Sequence, residues 1–446
     1  MATGRKRDDH SKHAKHSTHS EGMEPARKHK GPGTPPPGGG KAKAVHATPA
    51  GQPIFGEPTQ SPDPTTFTHP VTDQSLSELT QLIALPANAA GAPVEPVLTL
   101  AQVYGDAGAA KEAALLKAGQ IVFHSVGDTG SVTGPATQSL VADKMVTDFN
   151  EANPADVPSF FFHLGDVVYY FGEATYYYDQ FFEPYREYPA PILAIPGNHD
   201  GVVYAQDPAA SLEAFVANFC TAAPTHSPDA GTLNRTTMIQ PGVYFTFEAP
   251  FVRIFGLYSN VLEDPGVISG QTGSTSPNTI LDSRQIAFLT AALNRVKSDA
   301  YTGAIIIAVH HPPYSGDTTH GGSPLMLADI DSACTAAGVW PHAVFSGHVH
   351  NYERYTRTVN GKQIAYMVAG CGGHNPLSKM RATVRTPYAI NSTLTLNSVD
   401  DTDFGYLRVV VNSQTMTIEF HPASDGGATK TPDDSVTINL AQYTIS

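Results

Sequence analysis

The sequence contains little cysteine and no long apolar run. Its three cysteines, Cys220, Cys334 and Cys371, are too few and too widely spaced for a disulfide framework or a CxxC zinc site. One bridge with one free thiol would fit this number, but we favour three buried thiols because free cysteine packs like a small hydrophobic residue. No stretch of about 20 apolar residues could span a bilayer. We therefore expect a chain without a membrane span.

Basic residues are also in deficit. The chain has 27 Lys and Arg against 41 Asp and Glu, a formal net charge of −14. A protein that binds nucleic acid constitutively needs a basic surface to displace counterions, so this composition argues against such a partner. A small phosphate substrate is still compatible with the charge, because bound cations dominate the local field.

Three zones differ in composition. Residues 1–60 are rich in basic residues, histidine, proline and glycine and have almost no large apolar side chain, which predicts a disordered tail. The histidines in this tail favour a solvated basic segment over a metal site. Residues 61–118 predict a partly helical extension, with helical patterning at 75–85 and 98–116. The catalytic domain is expected to span 119–446.

From residue 119 onward, apolar segments end repeatedly at polar blocks. Segments 120–126, 159–164 and 191–196 predict strands in the first half, and 304–309 and 343–346 in the second. Helical patterns lie between them, and alternating apolar residues after 355 predict antiparallel strands. These features predict an α/β fold of two mixed β-sheets packed face to face and flanked by helices, with polar side chains at the carboxyl edges.

Five short blocks carry the candidate chemistry: GDTG at 127–130, GDVVY at 165–169, GNHD at 197–200, IAVHH at 307–311 and GHVH at 347–350. Two hard cations a few ångströms apart need a bridging carboxylate, further oxygen or imidazole ligands and an open position for water. The blocks supply two carboxylates, one amide oxygen and three imidazoles, from Asp128, Asp166, Asn198, His310, His348 and His350. This set is sufficient for two metal ions.

A tyrosine in the second block narrows the choice of metal. Tyr169 lies three residues after Asp166. A phenolate is a strong anionic donor, and only a highly charged ion readily holds tyrosine deprotonated near neutral or acidic pH. The sequence thus indicates iron(III) at one position, whereas a site of histidine and aspartate alone would suit divalent ions.

In these five blocks the chain resembles the purple acid phosphatases, a branch of the calcineurin-like metallophosphoesterase superfamily. The resemblance covers about residues 120–355, and only Ile307 departs from the usual pattern, where the family has valine. Most of the wider superfamily carries a histidine where this chain has Gly130, and that difference favours the purple branch. No fibronectin-like amino-terminal domain of the plant enzymes is evident.

The resemblance implies a calcineurin-like four-layer α/β/β/α sandwich and a division of ligands between two metals. Iron(III) would be held by Asp128, Asp166, Tyr169 and His350. A divalent ion, Zn, Mn or Fe(II), would be held by Asp166, Asn198, His310 and His348. The stretch that continues from the last block, Asn351-Tyr352-Glu353-Arg354, is also similar to the plant-type enzymes.

Two further histidines are expected to act on the substrate. His199 follows Asn198 directly, and Asp200 could orient it. His320 lies in the loop where plant-type relatives place a substrate histidine, with His311 and His374 as alternates. The implied activity is an acid phosphatase that hydrolyses phosphate monoesters, with attack by metal-bound hydroxide at a dinuclear Fe(III)–M(II) centre.

Two other interpretations stay open. A phosphodiesterase or nucleotidase of the same superfamily would use two divalent metals and would be colourless. A non-catalytic phosphate-binding or metal-binding surface protein would work through its basic tail. No apolar segment near the start resembles a signal peptide, although the resemblance suggests an exported, extracellular or periplasmic enzyme. The sequence sets neither the localisation nor the oligomeric state.

Other conspicuous side chains have a structural interpretation. We expect His124 and His163, which lie within predicted strands, to be packed in the core. The aromatic cluster of Tyr176, Tyr177, Tyr178, Phe181 and Phe182 favours core packing over a substrate platform.

Overall fold

The computed structural model describes residues 93–201, 210–259, 266–269, 283–382, 384–424 and 430–446. The predicted tail 1–60 and the predicted helix at 75–85 lie outside these residues. Within them, the chain forms two mixed β-sheets with helices on their outer faces.

Sixteen strands make up the two sheets in the described ranges. In chain order they are β1 (Val97–Thr99), β2 (Gln120–Val126), β3 (Phe161–His163), β4 (Ile192–Ala194), β5 (Phe245–Ala249), β6 (Val252–Leu257), β7 (Ala304–Val309), β8 (Ala343–Ser346), β9 (Tyr352–Val359), β10 (Lys362–Ala369), β11 (Tyr388–Ala389), β12 (Leu394–Asp400), β13 (Gly405–Asn412), β14 (Thr415–Pro422), β15 (Asp434–Asn439) and β16 (Thr444–Ile445).

The described α-helices are α1 (Leu100–Tyr104), α2 (Gly108–Ala118), α3 (Ala136–Thr147), α4 (Asn198–Gly201), α5 (Glu213–Phe219), α6 (Arg284–Ser298) and α7 (Pro324–Ala337). Short 3-10 turns lie at Gly105–Ala107, Asp148–Asn150, Pro154–Asp156, Ala174–Tyr176 and Pro228–Ala230, and a π-turn at Tyr178–Phe182.

One sheet has nine strands in the order β1-β5-β6-β7-β8-β10-β9-β12-β11, and the other has seven in the order β16-β15-β14-β13-β2-β3-β4. The strands that end at the polar blocks are parallel: β2, β3 and β4 are neighbours, as are β7 and β8. Antiparallel pairs complete both sheets. β5 and β6 form a hairpin, and a tight turn at Asn360-Gly361 joins β9 to β10 with both φ angles positive.

One hydrophobic core lies between the two sheets. Phe123 and Phe162 from the seven-stranded sheet belong to one buried cluster with Ile306 and Phe345 from the nine-stranded sheet. Alternate residues of the same strands face outward into a second cluster, where Ile307 shares the environment of helical residues such as Leu289. Because side chains alternate along a strand, one apolar run fills both layers. The predicted fold class is confirmed.

The segment before β2 is attached to the nine-stranded sheet. β1 pairs in parallel with β5, with Leu98 opposite Phe247. Glu95 receives two hydrogen bonds of 2.7 Å from the guanidinium of Arg295. Leu98 is therefore in a strand, and the helical pattern expected from 98 begins at Leu100, where Thr99 and Gln102 form a capping box.

The remaining structural expectations concern cysteines, aromatics and helices. All three cysteines are free, with Cys334 and Cys371 buried. Tyr176, Tyr177 and the neighbouring phenylalanines pack in the core. Among the described residues, no helix has both the length and the apolar character to cross a membrane.

Candidate metal centre

The polar blocks converge because their strands end at the same place in the two sheets. Asp128 and Asp166 follow β2 and β3, while Asn198 lies just after β4 at the start of α4. His310 follows β7, and His348 and His350 follow β8. The sheets are joined by hydrogen bonds here: the Gly127 amide donates to the Ala369 carbonyl at 2.9 Å. Ligands from two separate sheets can therefore face one another.

Three residues of the centre have a left-handed backbone. The φ angles are 56° at Asp128, 54° at Asp166 and 68° at His348. Non-glycine residues adopt this conformation at a cost of order 1–3 kcal/mol, and they concentrate at functional sites. Here each turn redirects the chain at the end of a strand, so the side chain points into the space between the sheets instead of continuing the strand.

Two glycines permit the close approach of ligands. A Cβ atom at Gly197 would lie 2.1 Å from Asp166 Oδ1, and one at Gly347 would lie 2.4 Å from Asp128 Oδ2. Both distances are far inside van der Waals contact, so any side chain would displace the carboxylate. The glycines that precede the ligands in these two blocks are thus required by space.

One cluster of donor atoms surrounds Asp128. Its Oδ1 lies 3.2 Å from the Tyr169 hydroxyl and 3.6 Å from His350 Nε2. The Tyr169 hydroxyl lies 3.3 Å from the same histidine nitrogen. The backbone amide of His348 fixes the other carboxylate oxygen at 2.8 Å. Carboxylate, phenol and imidazole atoms therefore meet at one point.

A second cluster surrounds Asn198. Its Oδ1 lies 3.0 Å from His310 Nε2 and 3.0 Å from His348 Nδ1. Asp166 Oδ2 lies 3.2 Å from His310 Nε2, and the backbone amide of His199 donates to Asp166 Oδ1 at 2.9 Å. The carboxyl groups of Asp128 and Asp166, with His310, bring ligand atoms within 4.8 Å of one another. The two clusters are therefore contiguous.

These spacings fit metal ions. An ion held about 2.1 Å from each donor brings neighbouring donor atoms to about 3 Å from one another, which is the spacing within both clusters. His310 supports the same conclusion. Its Nδ1 is 2.8 Å from the Leu164 carbonyl and must donate there, so Nε2 faces the acceptor oxygens of Asn198 and Asp166. Only a cation, either a proton or a metal, makes that contact favourable.

The electrostatics of the site agree with this conclusion. Burial would lower the pKa of His310, but Asp166 and Asp128 outweigh burial and raise it to about 9. Burial raises the pKa of Tyr169 well above its usual value, and the same carboxylates raise it further. Burial lowers the pKa values of His348 and His350, as do neighbouring histidines. The imidazoles of His348 and His350 thus present lone pairs, and a phenolate at Tyr169 requires a strongly charged cation.

The space at Gly130 is occupied by Tyr169 and the groups that hold it. A Cβ atom at Gly130 would lie 3.2 Å from Tyr169 Cδ2 and 2.6 Å from both the Val167 carbonyl and Gln180 Oε1. Gln180 in turn binds the backbone of Tyr169 on both sides, at 2.9 and 2.8 Å. A histidine at position 130 would therefore overlap the groups that hold Tyr169 in place, so the two side chains exclude each other.

The expected substrate histidines border the two clusters. The ring of His199 lies 4.3 Å from that of Tyr169, and its Nδ1 is 2.9 Å from the Tyr170 carbonyl. The ring of His320 lies 4.9 Å from His348 and 5.3 Å from His350. Burial lowers the pKa of His199, with Asp166 opposing that effect.

Asp200 does not orient the His199 ring as expected. Its Oδ1 accepts hydrogen bonds from the amides of Val167 at 3.0 Å and Val168 at 3.3 Å, and its Oδ2 from Gly197 at 2.8 Å. The carbonyl of Tyr170 takes the place at His199 Nδ1. Buried backbone amides need a hydrogen-bond acceptor, and the Asp200 carboxylate accepts from those at the end of β3 instead of from the His199 ring. Asp200 therefore connects the second and third blocks.

Both alternate histidines, His311 and His374, also lie at the centre. His374 is buried, stacks on Tyr169 at 3.9 Å and binds the Gly130 carbonyl at 3.0 Å through Nδ1. The ring of His311 lies 4.1 Å from that of His348 at an angle of 43°, and its Nδ1 contacts Ser259 Oγ at 2.8 Å. Sequence reasoning missed Gln180, for which no local signal exists. His163 is a core residue as expected, but it also binds Thr129 Oγ1 at 2.8 Å.

A carboxyl-edge site of carboxylates and imidazoles between two sheets defines a metal-dependent hydrolase. The sequence model of the calcineurin-like phosphoesterases matches residues 126–352, slightly more than half of the chain. The chain belongs to this family of metallophosphoesterases, whose members bind metals at a dinuclear site. The predicted superfamily is confirmed.

Similar solved structures include GAP50, the anchor in the inner membrane complex of Plasmodium, at 16% identity over 72% of this chain and 89% of that one, with a TM-score of 0.47. PhoD is similar at 13% identity over 73% and 71% of the two chains, with a TM-score of 0.44. A dimetal phosphatase from Danio rerio is similar at 11% identity over 72% and 99%, with a TM-score of 0.39. No curated protein matches the chain.

Proposed function

We propose that the protein is an acid phosphatase of the purple type, hydrolysing phosphate monoesters at a dinuclear Fe(III)–M(II) centre. The observation that carries the proposal is the position of Tyr169, whose hydroxyl lies 3.2 Å from Asp128 and 3.3 Å from His350. A phenol in a cluster of metal ligands, with the space at Gly130 closed to a histidine, favours iron(III) at that position.

The residues present divide between the two ions as follows. Asp128, Tyr169 and His350 would hold iron(III), and Asn198, His310 and His348 would hold Zn, Mn or Fe(II), with Asp166 shared. When bound, the two cations would activate a water molecule as the nucleophile and neutralise the phosphate. Uncatalysed hydrolysis of phosphate monoesters is among the slowest reactions known, so two cations are a reasonable requirement.

The protein's own contribution to the substrate comes from two histidines. His199 must donate from Nδ1 to the Tyr170 carbonyl, so its Nε2 is the ring nitrogen available to the phosphate. His320 contacts Asp317 through Nδ1, and we assign the contact with the phosphate to its Nε2. We assign to these nitrogens the stabilisation of the phosphate and the delivery of a proton to the leaving oxygen.

The proposal is tested by metal analysis and a visible spectrum of wild type, Tyr169→Phe and Tyr170→Phe. We expect one iron and one divalent metal per chain and a purple colour that Tyr169→Phe abolishes, because a phenolate bound to iron(III) gives rise to it. The matched control, Tyr170→Phe, removes a neighbouring hydroxyl and should stay purple. Colour that survives Tyr169→Phe would refute the tyrosinate.

A colourless wild-type protein that carries only manganese or zinc would instead support a phosphodiesterase or nucleotidase with two divalent metals. Activity on diesters and nucleotides would then exceed activity on simple monoesters. Full activity after deletion of residues 1–60 would exclude a function that is centred on the basic tail.

A further inference from the structure

The stretch that follows the last ligand block has no part in the chemistry assigned so far, yet Glu353 within it is fully buried. We propose that Glu353 and Asp317 are positioning residues that hold His320 against the ligand clusters. This inference rests on the proposed function, because it assigns to these carboxylates the support of a substrate histidine.

Asp317 fixes both the backbone and the ring of His320. The carboxylate is fully buried, and its Oδ2 accepts hydrogen bonds from the amides of Thr319 and His320, each at 2.9 Å. Its Oδ1 accepts from the amide of Gly321 at 2.7 Å. The ring nitrogen Nδ1 of His320 lies 3.2 Å from Oδ2. One side chain therefore closes the loop and sets the orientation of the imidazole.

This contact fixes the tautomer of His320. A carboxylate only accepts hydrogen bonds, so Nδ1 must carry the proton in the contact with Asp317. Nε2 is then the nitrogen that can meet a substrate, beside the rings of His348 and His350.

Glu353 holds the residues immediately before Asp317. Its Oε1 accepts from the Ser315 hydroxyl at 2.7 Å, and its Oε2 accepts from the Gly316 amide at 2.9 Å and from the Tyr355 hydroxyl. The amide of Asp317 donates to Ser315 Oγ at 3.1 Å. Glu353 lies on β9, within a sheet, so it anchors the His320 loop to a rigid element.

Adjacent residues of β9 serve the other face of the sheet and provide a matched control. Tyr352 and Arg354 both bind Asp434, through the tyrosine hydroxyl at 2.5 Å and the guanidinium at 2.6 and 2.9 Å. Asp434 thus has the same kind of partners as Glu353 but no contact with the His320 loop. Asp434→Asn removes the carboxylate on β15 that binds Tyr352 and Arg354, and it leaves the contacts of Glu353 with Ser315 and Gly316 in place.

The test compares Asp317→Asn, Glu353→Gln and Asp434→Asn on p-nitrophenyl phosphate and on an alkyl phosphate, with metal content measured in each. A proton donor matters most for a poor leaving group, so we expect the first two variants to lose about 10- to 100-fold in kcat on the alkyl ester. The loss on the aryl ester should be several-fold smaller. Metal content should stay at the wild-type level, and Asp434→Asn should change neither rate.

A double-mutant cycle decides whether the two carboxylates act through His320. In a His320→Ala background, Asp317→Asn and Glu353→Gln should cause no further loss, because the group that they position is gone. Additive losses, or equal losses on both esters, would overturn the proposal. Ser315→Ala, which removes one link of the same chain, replaces any variant that thermal unfolding shows to be misfolded.

The cycle also separates this inference from the proposed function. If wild type prefers diesters and contains no iron, the proposed function fails. The same cycle run with bis(p-nitrophenyl) phosphate then still tests whether the carboxylates act through His320. Non-additive losses on that substrate would support the positioning role, and additive losses would overturn it.

Discussion

Tyr169 shows how a single residue sets the character of the centre. Its ring lies between two imidazoles, 4.3 Å from His199 and 3.9 Å from His374. Its backbone is held by Gln180, and its hydroxyl meets Asp128 and His350. The phenol therefore has little freedom to rotate away, and its hydroxyl is held among the carboxylate and imidazole atoms of the first cluster.

The space beside Tyr169 gives the first prediction. Gly130→Ala should destabilise the protein by about 1–3 kcal/mol, because its Cβ would overlap the Val167 carbonyl and Gln180 Oε1. Since Gln180 holds Tyr169, the phenol should move, and the visible absorbance per bound iron should fall. Chemical denaturation and visible spectroscopy measure both effects.

Gly119→Ala is the matched control for this substitution. Gly119 has a φ of 78°, and a Cβ atom added there would meet no atom within 4 Å, so alanine is strained at this position without a clash. We expect it to lower the free energy of unfolding while the visible spectrum stays unchanged. An unaltered spectrum in Gly130→Ala would show that the space at 130 does not control Tyr169.

At the scale of secondary-structure elements, the parallel strands were the part of the fold that the sequence predicted best. β2, β3, β4, β7 and β8 are buried on both faces, so each is an apolar run that stops where a ligand begins. The convergence of the blocks follows from the shared direction of these strands. Local sequence patterns therefore predict both the strands and the edge of the sheets at which their polar residues lie.

The contacts that support the ligands could not be predicted from the sequence, because they join residues that are far apart in the chain. His374 binds the carbonyl of a residue 244 positions earlier, and Glu353 binds Ser315 across 38 positions. The role of Asp200 was also misjudged, since sequence proximity suggested His199 as its partner. Asp200 instead accepts hydrogen bonds from backbone amides at the end of β3. Such contacts can be identified only when the positions of the strands in the fold are known.

The link that Asp200 makes between two strand ends gives the second prediction. Asp200→Ala would leave three buried amides, those of Val167, Val168 and Gly197, without their acceptor. Since these amides flank Asp166 and Asn198, we expect metal affinity to fall about 10- to 100-fold. Titration with a competing chelator measures the loss.

His199→Ala is the comparison for Asp200→Ala. It retains the backbone amide that donates to Asp166, so the ligand stays in place. We expect this variant to keep both metals and to lose kcat. If Asp200→Ala retained metals as well as His199→Ala does, the carboxylate would not be holding the ligand loops.

At the scale of the whole molecule, the centre depends on the docking of two sheets. Asp128 from the seven-stranded sheet accepts a hydrogen bond from His348 of the nine-stranded sheet at 2.8 Å. The buried cluster between the sheets, with Phe123, Phe162 and Ile306 among its members, sets their separation. Ligand geometry is thus a property of the entire sandwich, and conditions that loosen the sandwich should loosen the site.

A buried polar network on the outer face of the seven-stranded sheet makes that stability sensitive to pH. His124 on β2 contacts Asp148 at 3.0 Å through Nε2 and the Tyr188 hydroxyl at 3.0 Å through Nδ1. The Tyr406 hydroxyl on β13 donates to Asp148 at 2.8 Å. The network therefore connects two strands of the sheet to the segments that cover it.

Both titrating members of this network favour the folded state at higher pH. Burial lowers the pKa of His124, and Asp148 opposes that effect only in part. Burial alone would raise the pKa of Asp148, but hydrogen bonds from His124 and Tyr406 outweigh burial and lower it to about 2. The unfolded chain therefore binds more protons than the folded chain, first below about pH 6.5 at His124 and then below about pH 3.9 at Asp148.

The third prediction follows from that sign. Between pH 6.5 and 5, His124→Gln should reduce the slope of unfolding free energy against pH by up to about 1.4 kcal/mol per pH unit, because glutamine can still donate to Asp148 but does not titrate. Denaturant unfolding across pH 5–8 with metals saturating measures the slope. Equal slopes in wild type and His124→Gln would mean that the buried histidine does not link protonation to folding. The pH dependence of the unfolding free energy would then come from other groups.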